Sequence, residues 1–169
     1  SPEYLAINPN GKVPTLVHEG RVIYESAAIL LYVIDQYPES GLAPDIHSPS
    51  RGLYYQYLFW MSSTLQEAAN RWAHPEQYVS GDSNLQQVKD NANDMLTHCW
   101  GVLEKVLTNN GPWLVGEQLT AADFHLFMVA YWSRRYASKA QDWPHLNAHY
   151  QTMLSRNAVK NMMAQEGLD

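Results

Sequence analysis

Cysteine is nearly absent: Cys99 is the only one, so no internal disulfide framework exists and a reducing compartment is expected. Positive charge is scarce. Eleven Lys plus Arg stand against 17 Asp plus Glu, a formal net charge of −6. That excludes nucleic acid and anionic membrane surfaces as expected partners, because phosphate binding needs clustered Lys and Arg. No apolar run approaches the roughly 18 residues of a membrane span. Ser1-Pro2-Glu3-Tyr4 shows no charged segment leading into an apolar one, so no secretory signal is read and a cytoplasmic location is expected. An initiator Met is also missing, so a processed or truncated product is expected. The seven histidines lack metal-ligand spacing, and no metal is expected; His145 and His149, four apart, read as surface residues. What remains is an ordinary globular mix, 46% apolar and 17% charged over 169 residues, enough for one or two small domains.

Texture divides the chain. Residues 13–18 and 21–24 are short β-type runs around Glu19-Gly20, which predicts a hairpin. Ser26 then opens a helix, apolar nearly all round, that Pro38 stops. The Pro-, Gly-, Ser- and Asp-rich stretch that follows predicts a linker over 41–48, between a mixed unit at 1–40 and an all-helical unit at 49–169. Helices are expected from Ser50 to about Trp72, Leu85 to about Leu107, Thr120 to about Ser133, Pro144 to about Leu154 and Ala158 to about Gln165. Two strands and one helix are too little sheet to stand alone, so further strands are expected upstream of Ser1. Cys99 lies on an apolar helix face and reads as an inert buried thiol.

Three patterns occur in order. They are Asn8-Pro9-Asn10-Gly11-Lys12-Val13-Pro14, then Glu25-Ser26 at the start of the helix, then Gly116-Glu117-Gln118-Leu119-Thr120-Ala121-Ala122-Asp123-Phe124. Thr120-x-x-Asp123 is a capping box, flanked by Leu119 and Phe124 as a hydrophobic staple; its role is structural. On a hairpin-helix then all-helical background, this series resembles the cytosolic glutathione transferases over nearly the whole chain. Glu166-Gly167-Leu168 adds a bacterial, beta-class-like note. The resemblance implies an α+β two-domain fold: an incomplete thioredoxin-like domain followed by the all-α glutathione-transferase C-terminal domain.

It also implies a site. Val13-Pro14 would be cis, with the Val13 backbone pairing the cysteinyl unit of glutathione like an added strand. Taken alone, Val13-Pro14 also reads as a plain strand start; beside Glu25-Ser26 the binding reading is favoured. Ser26 is expected as N-cap, its helix mouth receiving the γ-glutamyl carboxylate while Glu25 accepts the ammonium. Lys12 reads equally as a partner of the glycyl carboxylate or as a solvated turn lysine. The electrophile pocket is expected from Phe59, Trp132 and Tyr136, near Arg134 and Arg135, with Trp72 and His74 at a rim. Gln66-Glu67 stands where several beta-class enzymes carry His-Lys, which departs from strict beta-class chemistry. No catalytic residue is assigned, since the family's thiol-activating residue lies in its first strand.

The expected function is conjugation of the glutathione thiolate to small apolar electrophiles, with glutathione as co-substrate, by a homodimer. Two other readings use the same fold: glutathione-dependent disulfide reduction or deglutathionylation, and a non-catalytic protein-binding module.

Overall fold

The computed structural model describes residues 1–81 and 84–168. It opens with a helix absent from the sequence expectations, α1 (Pro2–Ile7). Its start follows ordinary rules: the Ser1 hydroxyl accepts from the Tyr4 N–H at 3.3 Å, Pro2 sits in the first turn, and Glu3 faces the helix's positive end. The hairpin follows as β1 (Thr15–His18) and β2 (Arg21–Tyr24), antiparallel, with Thr15 opposite Tyr24 and His18 opposite Arg21. Glu19 and Gly20 both take positive φ, 50° and 74°, the signature of a tight turn between twisted strands. These two strands form the whole sheet among the described residues.

Then comes α2 (Ser26–Gln36), which lies against both strands and reaches across to the helical unit. The segment after it is ordered by bonds at both ends. The Ala121 N–H donates to the Leu42 carbonyl at 2.8 Å, and the Gln118 amide donates to the Gly41 carbonyl. Arg51 donates to the Pro44 carbonyl at 2.8 Å and to Asp35 at 3.1 Å. This stretch is therefore a strap fastened to both units.

The long helix expected after Ser50 is present but not uniform. It runs as α3 (Ser50–Trp60), a π-helical turn (Met61–Leu65) and α4 (Gln66–Ala73). The Ser62 and Ser63 hydroxyls both donate to the Phe59 carbonyl, at 3.1 and 2.8 Å. Such back-bonding competes with the regular helical ladder where the pitch widens. The remaining helices are α5 (Leu85–Asn110), α6 (Ala121–Ser133), α7 (Pro144–Ser155) and α8 (Asn157–Glu166), each within a few residues of expectation. α5 packs on α4 and α7, and α6 runs through the middle of the bundle. That position explains why α6 has no solvent face in sequence: nine of its 13 residues are buried.

The capping box forms at the head of α6. Asp123 Oδ2 accepts from the Thr120 N–H at 2.8 Å and from its hydroxyl at 3.0 Å. Asp123 Oδ1 takes the Leu114 N–H at 2.9 Å and lies 3.2 Å from His149 Nε2. Asp123 is fully buried, so one carboxylate ties the preceding loop and α7 to the start of α6. His149 is correspondingly buried, which corrects its reading as a surface histidine. The sequence spacing showed only that it lay four residues from His145; burial came from α7 packing on α6.

Candidate functional site

The register pairing Thr15 with Tyr24 carries residues 13–14 and 25–26 to the same end of the hairpin. Lys12, Val13, Pro14, Glu25 and Ser26 are thereby brought together. The Val13-Pro14 peptide is cis. Val13 is 82% exposed, and among the described residues its backbone N–H and C=O have no partner. The adjacent turn is braced from behind. The Tyr4 hydroxyl and the Asn8 amide both donate to the Lys12 carbonyl, at 2.6 and 2.8 Å. The same two groups meet the Thr15 hydroxyl at 2.8 and 2.9 Å. Gly11, at φ 65°, is required here: a Cβ would also meet the Leu5 side chain at 3.1 Å. Tyr4 and Asn8 are the positioning residues that sequence reading missed. Ser1-Pro2-Glu3 was the available signal for the helix that carries Tyr4.

Ser26 is not the N-cap, which corrects that expectation. Glu25 takes the cap position without a capping side-chain bond, and Ser26 is the first helical residue. The reason is geometric. β2 ends at Tyr24 and α2 begins at Ser26, so one residue must make the whole turn. Glu25 does it at φ 72° and ψ 116°, a conformation costing about 1–3 kcal/mol for a non-glycine residue. Its carboxylate is left exposed beside the first free N–H groups of α2. An unpaired strand-like amide and carbonyl, an exposed carboxylate, a helix mouth and an exposed lysine together match the ends and middle of a short zwitterionic peptide.

A second feature is a cavity of about 800 Å³ between the end of α4, α6 and α8. Its wall is mostly apolar, with Phe124, Phe127, Met128 and Met162 among the lining residues. Trp132 and Tyr136 both line it, and Trp72 packs on Tyr136 with ring centroids 4.4 Å apart and planes tilted by 36°. Phe59 does not: it sits on an exposed face of α3, 55% accessible and outside the cavity wall. His74 also lies outside, 3.5 Å from Glu76. Gln66 accepts no role in the cavity; its carbonyl lies 3.1 Å from Nε2 of the buried His125, while Glu67 pairs with Arg71 at 3.0 Å. Burial lowers the His125 pKa to about 4, so this imidazole is neutral. Burial pushes the Cys99 thiol up to about 11, which leaves it unreactive at neutral pH. Among the described residues, no cluster of three His, Cys, Asp or Glu side chains is placed to hold a metal. No described helix is long and apolar enough to cross a membrane.

Comparison with known proteins agrees with this layout. The family described as "Glutathione S-transferase, N-terminal domain" matches residues 1–41. "Glutathione S-transferase GST-4.5" of Xanthomonas campestris pv. campestris is 28% identical over 169 residues, covering 100% of this chain and 82% of the relative. The solved glutathione S-transferase of Xylella fastidiosa superposes with a TM-score of 0.90 at 26% identity, over 100% of this chain and 82% of that one. A sphingomonad glutathione S-transferase solved in complex with glutathione gives a TM-score of 0.84 at 29% identity, over 98% and 79%. These neighbours identify the hairpin unit as thioredoxin-like and the bundle as the helical transferase domain. The family "Glutathione S-transferase, C-terminal domain" matches residues 60–157, more than half of the sequence, and the chain belongs to the glutathione S-transferase family.

Proposed function

We propose that this protein binds glutathione at the end of the hairpin and conjugates its thiolate to small apolar electrophiles. The observation that carries the reading is the exposed, unpaired backbone of Val13 beside the positive-φ Glu25 and the open start of α2. The Val13 amide and carbonyl would pair the cysteinyl unit as a one-residue strand. The N–H groups of Ser26 and Ala27 would receive the γ-glutamyl carboxylate, and Glu25 its ammonium. Lys12 would meet the glycyl carboxylate as a mobile point charge. The cavity wall at Trp132 and Tyr136 would hold the acceptor away from water. The hydroxyl or thiol that stabilises the thiolate would then come from outside residues 1–169. Lowering a thiol pKa from about 8.5 toward about 7 raises its reactive fraction more than tenfold at neutral pH.

A homodimer acting in the cytoplasm completes the reading. Capture on immobilised glutathione tests the binding step, and turnover of an activated aryl chloride tests conjugation. Retention on the glutathione matrix with elution by free glutathione is the expected result. Failure of the folded protein to bind would overturn the reading. Binding with reduction of mixed disulfides, and no turnover of the aryl chloride, would move the chemistry to deglutathionylation.

A further inference from the structure

Behind the turn that leads into β1, four side-chain hydrogen bonds form a closed circuit in which every proton can be placed. Asn8 is buried, and its Oδ1 accepts the Asn10 N–H at 3.0 Å. Its NH2 group therefore faces the other way, and gives its two protons to the Lys12 carbonyl at 2.8 Å and the Thr15 hydroxyl oxygen at 2.9 Å. The Tyr4 hydroxyl has a single proton, and the Lys12 carbonyl, 2.6 Å away, can only accept it. The Tyr4 oxygen, 2.8 Å from the Thr15 hydroxyl, must then accept from Thr15. Thr15 thus takes a proton from Asn8 and directs its own to Tyr4. The bonds run one way, from Asn8 through Thr15 and Tyr4 to the Lys12 carbonyl, and the direct bond from Asn8 to that carbonyl closes the circuit.

The Lys12 carbonyl and the Val13 N–H belong to one trans peptide unit, in which they point in opposite directions. Fastening the oxygen inward therefore turns the N–H outward, where Val13 is exposed and its N–H is unpaired among the described residues. Two donors on that oxygen, one of them a hydroxyl that is itself accepting, polarise the peptide and make its N–H a stronger donor. We propose that Tyr4 and Thr15 are positioning residues for glutathione, which aim and strengthen the Val13 N–H for the cysteinyl carbonyl without touching the ligand. The proposal rests on the glutathione-binding reading and names the side chains on which the affinity of that contact depends.

Tyr4→Phe keeps the aromatic ring and removes only the hydroxyl. In calorimetric titration it should raise the glutathione dissociation constant about three- to tenfold, the share of one positioning hydrogen bond. Thr15→Val should do likewise, while Thr15→Ser, which keeps the hydroxyl, should retain most of the affinity. The double variant Tyr4→Phe with Thr15→Val should lose less than the product of the two single losses, because either change opens the same circuit. A role confined to stability would not reach the Val13 amide. Its nitrogen resonance in the ligand-free protein should move upfield in Tyr4→Phe at unchanged melting temperature. An unchanged Val13 resonance, unchanged affinity in Tyr4→Phe, equal losses in Thr15→Val and Thr15→Ser, or single losses that simply multiply would each overturn the proposal and spare the glutathione site. If the unaltered, folded protein binds no glutathione, the functional reading falls and the proposal falls with it.

Discussion

Glu25 and Asp123 carry opposite kinds of cost at the residue scale. Glu25 holds a positive-φ conformation that glycine tolerates better than a residue with a Cβ, and its side chain makes no capping bond to offset the cost. The variant Glu25→Gly should therefore keep or raise the melting temperature, while lowering glutathione affinity at least about tenfold through loss of the carboxylate. Thermal unfolding and calorimetric titration of the same sample check both halves. Asp123 is the reverse case. Its carboxylate serves the N–H groups of Thr120 and Leu114, the Thr120 hydroxyl and His149, all buried or half-buried. Asp123→Ala removes a helix cap and strands buried donors, so a loss of about 3 kcal/mol or more is expected in urea unfolding. Thr120→Ala should cost less, about 0.5–2 kcal/mol.

His125 adds a pH term at the same scale. Burial holds its pKa at about 4, below the ordinary value of 6.5. The unfolded chain thus takes up a proton that the native state refuses. Stability is highest above the unfolded value and falls as pH drops from about 6.5 toward about 4. Between about pH 7 and about pH 5 the His125 share of that fall is about 2 kcal/mol. Urea unfolding at the two pH values should show a shallower dependence for His125→Gln.

Elements in this protein are joined more firmly than their composition suggests. Residues 41–48 have linker chemistry, yet Arg51 reaches from the first turn of α3 to Asp35 on α2, the Pro44 carbonyl and the Tyr55 hydroxyl. Its guanidinium also lies 4.9 Å from the Tyr55 ring centre. Arg51→Met keeps much of the apolar stem but leaves the Pro44 carbonyl unserved, at about 1–3 kcal/mol. Limited proteolysis should then cut within 41–49 at a markedly higher rate than in the unaltered protein. An unchanged cleavage rate would mean that the bonds of Gln118 and Ala121 hold the strap unaided.

At the scale of the whole molecule, the hairpin is mostly exposed and α2 mostly half-buried, while Leu53 and Phe59 on α3 are exposed, at 44% and 55%. Phe59 lies outside the cavity between α4, α6 and α8, so its apolar ring needs another covering, and a second copy of the chain is the expected one. A stable pair needs about 1,000 Å² or more of buried surface. Phe59→Ser should raise the dimer dissociation constant at least about tenfold in sedimentation equilibrium without affecting the fold.

Much of this protein is written in short-range pattern. The hairpin turn, the helices, the Thr120–Asp123 box and the Val13-Pro14 and Glu25-Ser26 pairs depend on chemistry within a few residues, and period and spacing are enough to read them. The family followed from those patterns in order. Tertiary structure decided the rest: that Glu25, not Ser26, turns the chain into α2; that Tyr4 and Asn8 brace the Val13 turn; that His125 and His149 are buried; that Trp132, Tyr136 and Arg135 share a cavity while Phe59 faces outward. Burial and cavities belong to surfaces that meet only when distant segments pack. A histidine on a helix therefore reads the same in sequence whether its neighbours are water or a carboxylate on another helix.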